Sequence, residues 1–340
     1  MSVLSGRRIA LVGGAGFIGH HLALKLKDLG ADVFVIDSLA VNNYYSFKNS
    51  ADFVPNGELY LSIIQQRLDL LKEKGIPLTE LDARDYIKLS YVIGELNVDA
   101  LIHLAAVAHA DRSNKDPYST FDHSLRTLEN SLDIARSPSL DIKHFIYFSS
   151  SMIYGNFAAD SVTEETPCEP LGMYGALKFA GEKMVIAYNQ VFALPYTILR
   201  PSALYGPRCV SRRVGQAFIE NALQGLEISI QGDGSSRIDF TYIDDLVAGI
   251  VNVLENENSR NQIFNMTYGD SCSVSQMADI LTEHFPDVKI NYLPKDKLTP
   301  DRGTLCIDKA RKMIGYNPQF PLERGFAEYI KWYKSIWKSL

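Results

Sequence analysis

A tyrosine and a lysine four positions apart, Tyr174 and Lys178, give the strongest chemical signal in the sequence. Residues i and i+4 share one face of a helix, so the ammonium group can lie beneath the phenol. A positive charge there favours the phenolate and draws the tyrosine pKa from about 10 towards neutrality. Tyr174 is therefore a candidate general base for a hydroxyl proton.

Three serines, Ser149, Ser150 and Ser151, precede this pair at the end of a predicted strand. Ser150 could hydrogen-bond the same substrate oxygen as Tyr174, orient it and relay the proton. A Tyr-x-x-x-Lys pair alone also arises by chance on amphipathic helices. In combination with the motifs below, it predicts that Ser150, Tyr174 and Lys178 are catalytic.

A glycine-rich loop follows the first predicted strand, with Gly13, Gly16 and Gly19 in a G-x-x-G-x-x-G spacing. Such a loop lets the backbone approach a pyrophosphate at a helix N-terminus, although a flexible turn is the alternative. Asp37, at the end of the second strand, favours the first interpretation. Its carboxylate can accept hydrogen bonds from both ribose hydroxyls and would repel a 2′-phosphate, so NAD is favoured over NADP.

Two further strand ends fit the same nucleotide. Asp82 could meet the adenine amino group, or it could be an exposed residue that caps the next helix. The small residues after His103 would let the backbone lie against the cofactor, and a lone histidine there is more often structural. The predicted cofactor-binding residues are Gly13, Gly16, Phe17, Ile18, Gly19, Asp37, Asp82, Ala83, Leu104, Ala105, Ala106, Tyr174 and Lys178.

The elements that must position these residues alternate between short apolar strands and helices, which predicts an α/β fold with a doubly wound parallel sheet. Predicted strands cover 8–12, 32–36, 78–82, 100–104, 144–149 and 196–200. We predict a cofactor domain of residues 1–200 plus 240–266, in which 240–243 and 262–265 return to the sheet. Residues 201–239 plus 267–340 would form a smaller C-terminal α/β substrate lobe.

The stretch from residue 40 to residue 75 is longer than a usual strand-to-helix connection. It opens with Asn42, Asn43, Tyr44 and Tyr45, and a helical pattern follows over 58–74. We interpret it as an insertion specific to a subset of related proteins.

Composition narrows the classes of partner. The 340 residues include 34 Lys+Arg and 40 Asp+Glu, a formal charge of -6, so a nucleic-acid partner is not expected. The four cysteines are far apart, which disfavours a metal site or a redox pair and suggests reduced thiols. The apolar runs are short of the roughly 20 residues of a spanning helix. A cytoplasmic protein without membrane contact or metal is therefore expected.

With these motifs the chain resembles the extended short-chain dehydrogenase/reductase family, and within it the nucleotide-sugar epimerases and dehydratases. The resemblance covers nearly the whole chain. It includes Asp116-Pro117-Tyr118, Ser149 to Gly155, Leu199-Arg200-Pro201, Tyr205 to Arg208, residues 232–245 and a closing pattern from Asp301 to Tyr316. It implies a Rossmann domain with tightly held NAD, a sugar-nucleotide lobe, and Ser150, Tyr174 and Lys178 as the catalytic triad.

The resemblance places Arg237 where family members hold the substrate pyrophosphate, with Arg302 as a possible second clamp. A guanidinium suits that anion by geometry and permanent charge. Arg208 is a third candidate, and Ser150 and Ser151 would also contact the substrate. Two departures are specific: Ala203 and Ser124 stand where many epimerases have asparagine.

The family's 4,6-dehydratases carry an Asp-Glu pair after the catalytic Ser or Thr, where this chain has Ser151 and Met152. Without that carboxylate pair the abstraction of the C5 proton lacks a base. The leading hypothesis is an NAD-dependent epimerase acting at C4 of a nucleoside-diphosphate hexose or uronic acid, through a 4-keto intermediate. Alternatives are an NAD-dependent nucleotide-sugar 4-dehydrogenase or dehydratase and, remotely, a non-catalytic NAD-binding module.

A homodimer is also predicted. The helix that carries Tyr174 continues through Ala180, Met184, Val185 and Tyr188, and the helical stretch at 125–134 is apolar on more than one face. Two such helices from each chain could form a four-helix interface. Packing within the monomer is the alternative.

Overall fold

The computed structural model describes residues 2–41, 44–50, 55–108, 110–294 and 300–338, so Asn42 and Asn43 lie outside the described residues. The strands are β1 Arg8–Val12, β2 Asp32–Asp37, β3 Leu78–Glu80, β4 Ala100–His103, β5 His144–Phe148, β6 Ser161–Val162, β7 Tyr196–Arg200, β8 Leu204–Tyr205, β9 Ile228–Gln231, β10 Arg237–Ile238, β11 Thr241–Tyr242, β12 Gln262–Asn265, β13 Cys272–Ser273, β14 Ile290–Leu293 and β15 Thr304–Leu305.

The helices are α1 Phe17–Asp28, α2 Tyr44–Ser50, α3 Gly57–Glu73, α4 Tyr86–Leu96, α5 Ala110–Lys115, α6 Pro117–Phe121, α7 Thr127–Ala135, α8 Gly172–Phe192, α9 Val214–Leu223, α10 Ile243–Glu255, α11 Val274–His284, α12 Asp308–Ile314 and α13 Leu322–Trp337. A π-helical turn, Asp122–Arg126, joins α6 to α7, and a 3-10 turn, Ser151–Tyr154, follows β5. A second 3-10 turn, Glu257–Ser259, follows α10.

Within the described residues, seven parallel strands form one sheet in the order β12-β7-β5-β4-β1-β2-β3. Strands β4, β5 and β7 are buried along their whole length, because helices cover both faces of the sheet. All six strands predicted between residues 8 and 200 belong to it. The predicted doubly wound parallel sheet is confirmed.

One predicted strand of this sheet is wrong. Residues 241–242 form β11, which pairs in parallel with β8 in a separate two-stranded sheet. The chain enters α10 directly afterwards, so β11 is too short to extend along a sheet edge. Strand β12 does join the large sheet, beside β7. The division of the chain into two lobes stays a prediction.

The insertion forms α2 and α3. Helix α3 packs against α1 with a buried stripe made of Leu59, Tyr60, Ile63, Ile64, Arg67 and Leu71. Its Tyr60 hydroxyl donates to Glu220 of α9 at 2.6 Å, and Asn56 donates to the same carboxylate at 2.9 Å. The insertion therefore ties the sheet domain to a helix from the later part of the chain.

A buried ion pair holds α8 against the sheet. Arg200, at the end of β7, donates to both oxygens of Glu182 at 2.9 and 2.7 Å, and both side chains are buried. Breaking one partner of such a pair leaves an uncompensated buried charge. The pair thus fixes the helix that presents Tyr174 and Lys178.

Among the described helices, none is both long and apolar enough to cross a membrane.

Candidate active site

A cleft opens where the sheet strands end, and it is formed mainly by the segments that follow β1, β2, β4, β5 and β7. This is the position at which open α/β sheets bind their ligands. Each residue predicted to bind the cofactor lines the cleft, namely Gly13, Gly16, Phe17, Ile18, Gly19, Asp37, Asp82, Ala83, Leu104, Ala105, Ala106, Tyr174 and Lys178. The structure thus brings these sequence motifs together.

The glycine loop is packed closely against the end of β4. Gly13 has a φ of +82°, and a Cβ added to it would lie 2.6 Å from the backbone nitrogen of Ala105. Helix α1 begins at Phe17 with Gly16 as its N-cap, so no side chain covers the first-turn N–H groups. Open N–H groups at a helix N-terminus suit a pyrophosphate.

The Asp37 carboxylate ties the glycine loop to the end of β2. Its oxygens accept hydrogen bonds from the backbone nitrogens of Ala15 at 3.0 Å and Leu39 at 2.8 Å. Burial raises the pKa of Asp37, and the two backbone hydrogen bonds oppose that shift. A carboxylate at this strand end, beside an open helix N-terminus, fits the ribose and pyrophosphate of a dinucleotide.

The sequence left open whether Asp82 meets the adenine or caps the next helix, and in the structure it is Asp85 that caps the helix. Asp85 caps α4 by accepting from the backbone nitrogen of Lys88 at 3.1 Å. Asp82 stays on the cleft, where the guanidinium of Arg84 holds the pKa of its carboxyl below the usual range. Arg84 also donates to Asp122 at 2.8 Å, so this rim of the cleft is a small ion-pair network.

Ser150, Tyr174 and Lys178 all line the cleft. Tyr174 and Lys178 lie in the first turns of α8, and Ser150 follows β5 and caps the 3-10 turn by accepting from the Met152 nitrogen at 3.2 Å. Lys178 Nζ donates to the carbonyl of Phe148 at 2.7 Å. Burial lowers the pKa of Lys178 to about 8, against the opposing effect of Glu182.

Three further residues noted in the sequence, Ser149, Ser124 and Ala203, lie in different environments. The hydroxyl of Ser149 is buried on the cleft wall and has no hydrogen-bond partner among the described residues. Ser124, which replaces an asparagine of many epimerases, lies in the π-helical turn and accepts from the Val107 nitrogen at 3.3 Å. Ala203, the other departure, lines the cleft with a φ of +38°.

Two of the predicted substrate arginines lie in a neighbouring cavity. Arg237 and Arg302 line it together with Ser271 and Thr304. Arg237 Nε donates to the Ser271 hydroxyl at 3.0 Å. Burial and the charge of Arg213 lower the pKa of Arg302 to about 10, and Arg213 itself lines the cleft. The charge of Arg213 in the cleft therefore acts on Arg302 in the neighbouring cavity.

The structure separates Arg208 and Ser151 from these walls. Neither is among the described residues that line the cleft or the neighbouring cavity. The Arg208 side chain instead donates to His20 Nε2 at 3.0 Å. Ser151 is buried next to Ser150, and its backbone nitrogen donates to the carbonyl of Pro201 at 2.9 Å.

The insertion contributes cleft residues that the motifs did not indicate: Val41, Phe47 and Arg67. Arg67 is fully buried, and the Asp37 charge acts on it. The signal for Arg67 was present in the sequence, because it occupies a helical i+3 or i+4 position in an otherwise apolar stripe. Among the described residues, no group of three His, Cys, Asp or Glu side chains could hold a metal ion.

Residues 9–267 match the model of the NAD dependent epimerase/dehydratase family. The chain belongs to this family. Among curated proteins it is 30% identical to the uncharacterized UDP-glucose epimerase YtcB of Bacillus subtilis, over 97% of this chain and 99% of YtcB. It is 28% identical to UDP-glucuronate 4-epimerase 1 of Arabidopsis thaliana, over 98% of this chain and 78% of that protein. The predicted family is confirmed.

The fold is similar to that of two solved enzymes. One is UDP-glucuronic acid 4-epimerase from Bacillus cereus in complex with UDP-glucuronic acid and NAD, with a TM-score of 0.85 and 26% identity over 96% of this chain and 99% of that one. The other is DesIV, a dTDP-glucose 4,6-dehydratase from Streptomyces venezuelae, with a TM-score of 0.83 and 25% identity over 96% and 97%. NAD as the cofactor of this family is confirmed.

Proposed function

We propose that this chain is an NAD-dependent nucleotide-sugar 4-epimerase whose substrate is a UDP-linked hexose or uronic acid. The observation that carries the proposal is the convergence of Ser150, Tyr174 and Lys178 on a cleft whose other walls are the predicted cofactor residues. The three epimerases named above carry UDP-glucose or UDP-glucuronate in their names, which supports a UDP-sugar.

In the proposed reaction Tyr174 takes the proton of the sugar 4-hydroxyl and Ser150 holds the same oxygen by a hydrogen bond. NAD, which the glycine loop and Asp37 would hold, would supply a reversible hydride acceptor for C4, so that the hydrogen can be restored on the opposite face of the sugar. Lys178 lines the same cleft one helical turn after Tyr174, and the Phe148 carbonyl holds its ammonium group, which supplies a positive charge to this part of the site. Tyr174 then gives the proton back to the C4 oxygen, so no atoms are gained or lost.

Epimerisation also needs the keto sugar to turn over while its diphosphate stays bound. Arg237 and Arg302, in the neighbouring cavity, supply guanidinium groups suited to a diphosphate. The guanidinium groups of Arg302 and Arg213 repel each other, and this repulsion, with burial, lowers the pKa of Arg302 to about 10. An anion between these side chains would relieve that repulsion, which supports the diphosphate there.

A dehydratase fits the fold equally well, since the TM-scores to the epimerase and to the dehydratase are 0.85 and 0.83. The residues after Ser150 separate the two reactions. Ser151 and Met152 offer no carboxylate to abstract the C5 proton. This absence of an acid-base pair in the 3-10 turn favours the epimerase.

The test is incubation of the purified protein with UDP-glucose, UDP-galactose, UDP-glucuronate and UDP-galacturonate in separate reactions. NMR of the products should show one C4 pair interconverting to the same mixture from both directions. Loss of the C6 oxygen would indicate a dehydratase. Accumulation of NADH with a 4-keto product would indicate a dehydrogenase, and no turnover of any nucleotide sugar would contradict the proposal.

We also propose a homodimer located in the cytoplasm. The predicted interface helices bury Val185, Leu128 and Leu132 within the monomer. A dimer contact would therefore use the exposed residues beside them. Val191 is 70% exposed and Phe192 is 45% exposed at the end of α8. All four cysteines are free thiols, which fits a reducing compartment. Light scattering at micromolar concentration tests the dimer.

A further inference from the structure

Two histidines and two arginines, none of them predicted to be catalytic, form a cluster. This cluster joins three distant segments of the chain. His20 and His21 lie in α1, directly after the glycine loop, and Arg67 lies in the insertion helix α3. Arg208 follows the Tyr-Gly-Pro turn after β8. We call these four residues the histidine–arginine clamp.

The hydrogen bonds of the clamp define the protonation of both histidines. A guanidinium only donates, so His20 Nε2, 3.0 Å from Arg208 Nε, is an acceptor. The His20 proton is therefore on Nδ1, which donates to the Gly16 carbonyl at 2.8 Å. His21 Nε2 donates to the Pro207 carbonyl at 3.0 Å, and its Nδ1 faces the Arg208 guanidinium at 3.4 Å.

Arg208 is held by its backbone as well as by its side chain. Its carbonyl accepts two hydrogen bonds from the guanidinium of Arg67, one of them at 3.0 Å. Arg208 has a φ of +63°, in the left-handed region that a residue with a Cβ rarely adopts. Such a backbone persists only where the surrounding contacts hold it in place. Here those contacts come from α1 and from the insertion.

The clamp joins two walls of the cleft. The residues directly after Arg208, including Cys209, Val210 and Ser211, line the cleft, as does Gly16 of the glycine loop. We propose that Arg208 is a positioning residue, which fixes the loop at 209–213 against the glycine loop so that the substrate wall is formed before the nucleotide sugar binds. The kinetic part of this inference rests on the proposed function.

The proposal predicts a specific kinetic effect. When the clamp is broken, the loop at 209–213 adopts further conformations and only a fraction of molecules has a complete substrate wall. The apparent affinity falls by that fraction, so KM rises. The value of kcat at saturation stays nearly constant, because Ser150, Tyr174 and Lys178 follow β5 or lie in α8, whereas the clamp is built from α1, α3 and Arg208.

The test compares Arg208→Met, His20→Phe and the double variant, with Arg311→Met as the control. Arg311 carries a surface ion pair within α12, so its loss should change nothing. Each clamp variant should raise the KM for the nucleotide sugar by about 10-fold or more, the size of one lost hydrogen bond to a charged group. The double variant should raise KM no further than the larger single change, because both single changes remove the same hydrogen bond between Arg208 and His20.

Amide hydrogen exchange supplies a readout that needs no turnover. In Arg208→Met and in His20→Phe the amides at 209–213 should exchange faster than in the unaltered protein, while those of α12 should not. If Arg208 instead bound a phosphate of the substrate directly, Arg208→Met would raise KM, but His20→Phe would leave KM and the exchange rates unchanged. If Arg208→Met does not fold, His20→Phe and Arg208→Lys carry the same comparison.

Three results would overturn the proposal. They are an unchanged KM in both single variants, independent effects that multiply in the double variant, and unchanged exchange at 209–213. Because exchange is measured without substrate, failure of the proposed epimerase activity would leave the clamp still testable.

Discussion

Two regions, the cleft wall predicted to bind the cofactor and the region predicted to bind the substrate, are built from contacts of different range. We call them the cofactor side and the substrate side. On the cofactor side, Asp37 binds backbone nitrogens only 2 and 22 positions away in the sequence. On the substrate side, Arg208, which precedes the cleft residues Cys209 to Ser211, binds a histidine 188 positions away. Arg237, which lines the neighbouring cavity, binds a serine 34 positions away. Parallel strands bring local motifs to one edge of a sheet, whereas the substrate side depends on how later segments pack.

The two sides also differ in charge. The cofactor side offers backbone N–H groups and the carboxylate of Asp37, which together suit a pyrophosphate next to a ribose. The substrate side carries the guanidinium groups of Arg213, Arg237 and Arg302, and two of them repel each other. Both sides therefore suit an anion, but the cofactor side offers neutral backbone N–H groups and the substrate side offers full positive charges.

The largest effect is expected where the two sides meet. Tyr174→Phe keeps the ring and removes the proton acceptor, so turnover should fall by about 10³-fold, within the usual range of acid-base catalysis. NAD binding and the free energy of unfolding should stay nearly unchanged. Tyr188→Phe, on the same helix, is the matched control. Near-normal turnover in Tyr174→Phe on the true substrate would contradict the assignment of the three predicted catalytic residues.

The cofactor side should be sensitive to a single methyl group. In Gly13→Ala the new Cβ meets the Ala105 backbone and the φ of +82° is strained, so the free energy of unfolding should fall on the order of 3 kcal/mol. Gly94→Ala is the control: nothing lies near its Cβ position, and alanine favours the helix by about 0.5–1 kcal/mol. Urea unfolding measures both. Equal stability of Gly13→Ala and the unaltered protein would refute the close packing of the loop.

A substitution on the substrate side should change the KM for the nucleotide sugar and leave NAD binding unaltered. Arg237→Met removes a charged donor, so the KM for the nucleotide sugar should rise by about 10- to 100-fold, as expected for one charge-assisted hydrogen bond. The dissociation constant of NAD, measured by calorimetry, should not change. Weakened NAD binding with an unaltered KM would place Arg237 on the cofactor side instead.

A pH dependence of the free energy of unfolding is also expected, and His21 in α1 contributes to it. Burial, with the Arg208 charge, lowers the pKa of His21 to about 3, whereas the unfolded chain takes up that proton near pH 6.5. This contribution is fully present above pH 6.5 and is lost as the pH falls from 6.5 towards 3, by at most about 1.4 kcal/mol per pH unit. Asp239 acts in the opposite direction, because burial raises its pKa to about 7.

Only a comparison of variants isolates the histidine contribution from that of Asp239. In His21→Phe the fall in the free energy of unfolding between pH 6.5 and pH 5 should be smaller than in the unaltered protein. Urea unfolding at several pH values measures the slope. Identical slopes would show that His21 is protonated in the folded state.

The sequence alone determined the cofactor side. The spacing of Gly13, Gly16 and Gly19, the strand-ending Asp37 and the i, i+4 pair of Tyr174 and Lys178 are local patterns. Their geometry follows from the period of a helix and from the shared edge of parallel strands. This is why each predicted cofactor residue lines the cleft, and why strands 8–12 and 196–200 have the predicted bounds.

Only the tertiary structure decided where the arginines lie and how the insertion is used. Arg208, Arg237 and Arg302 share one residue type, yet one contacts His20 and the other two line a separate cavity. Arg67 reaches the cleft because α3 packs on α1, and residues 241–242 pair with β8 instead of the large sheet. A guanidinium binds whichever partner the packing brings near, and no local pattern names a partner more than a hundred positions away.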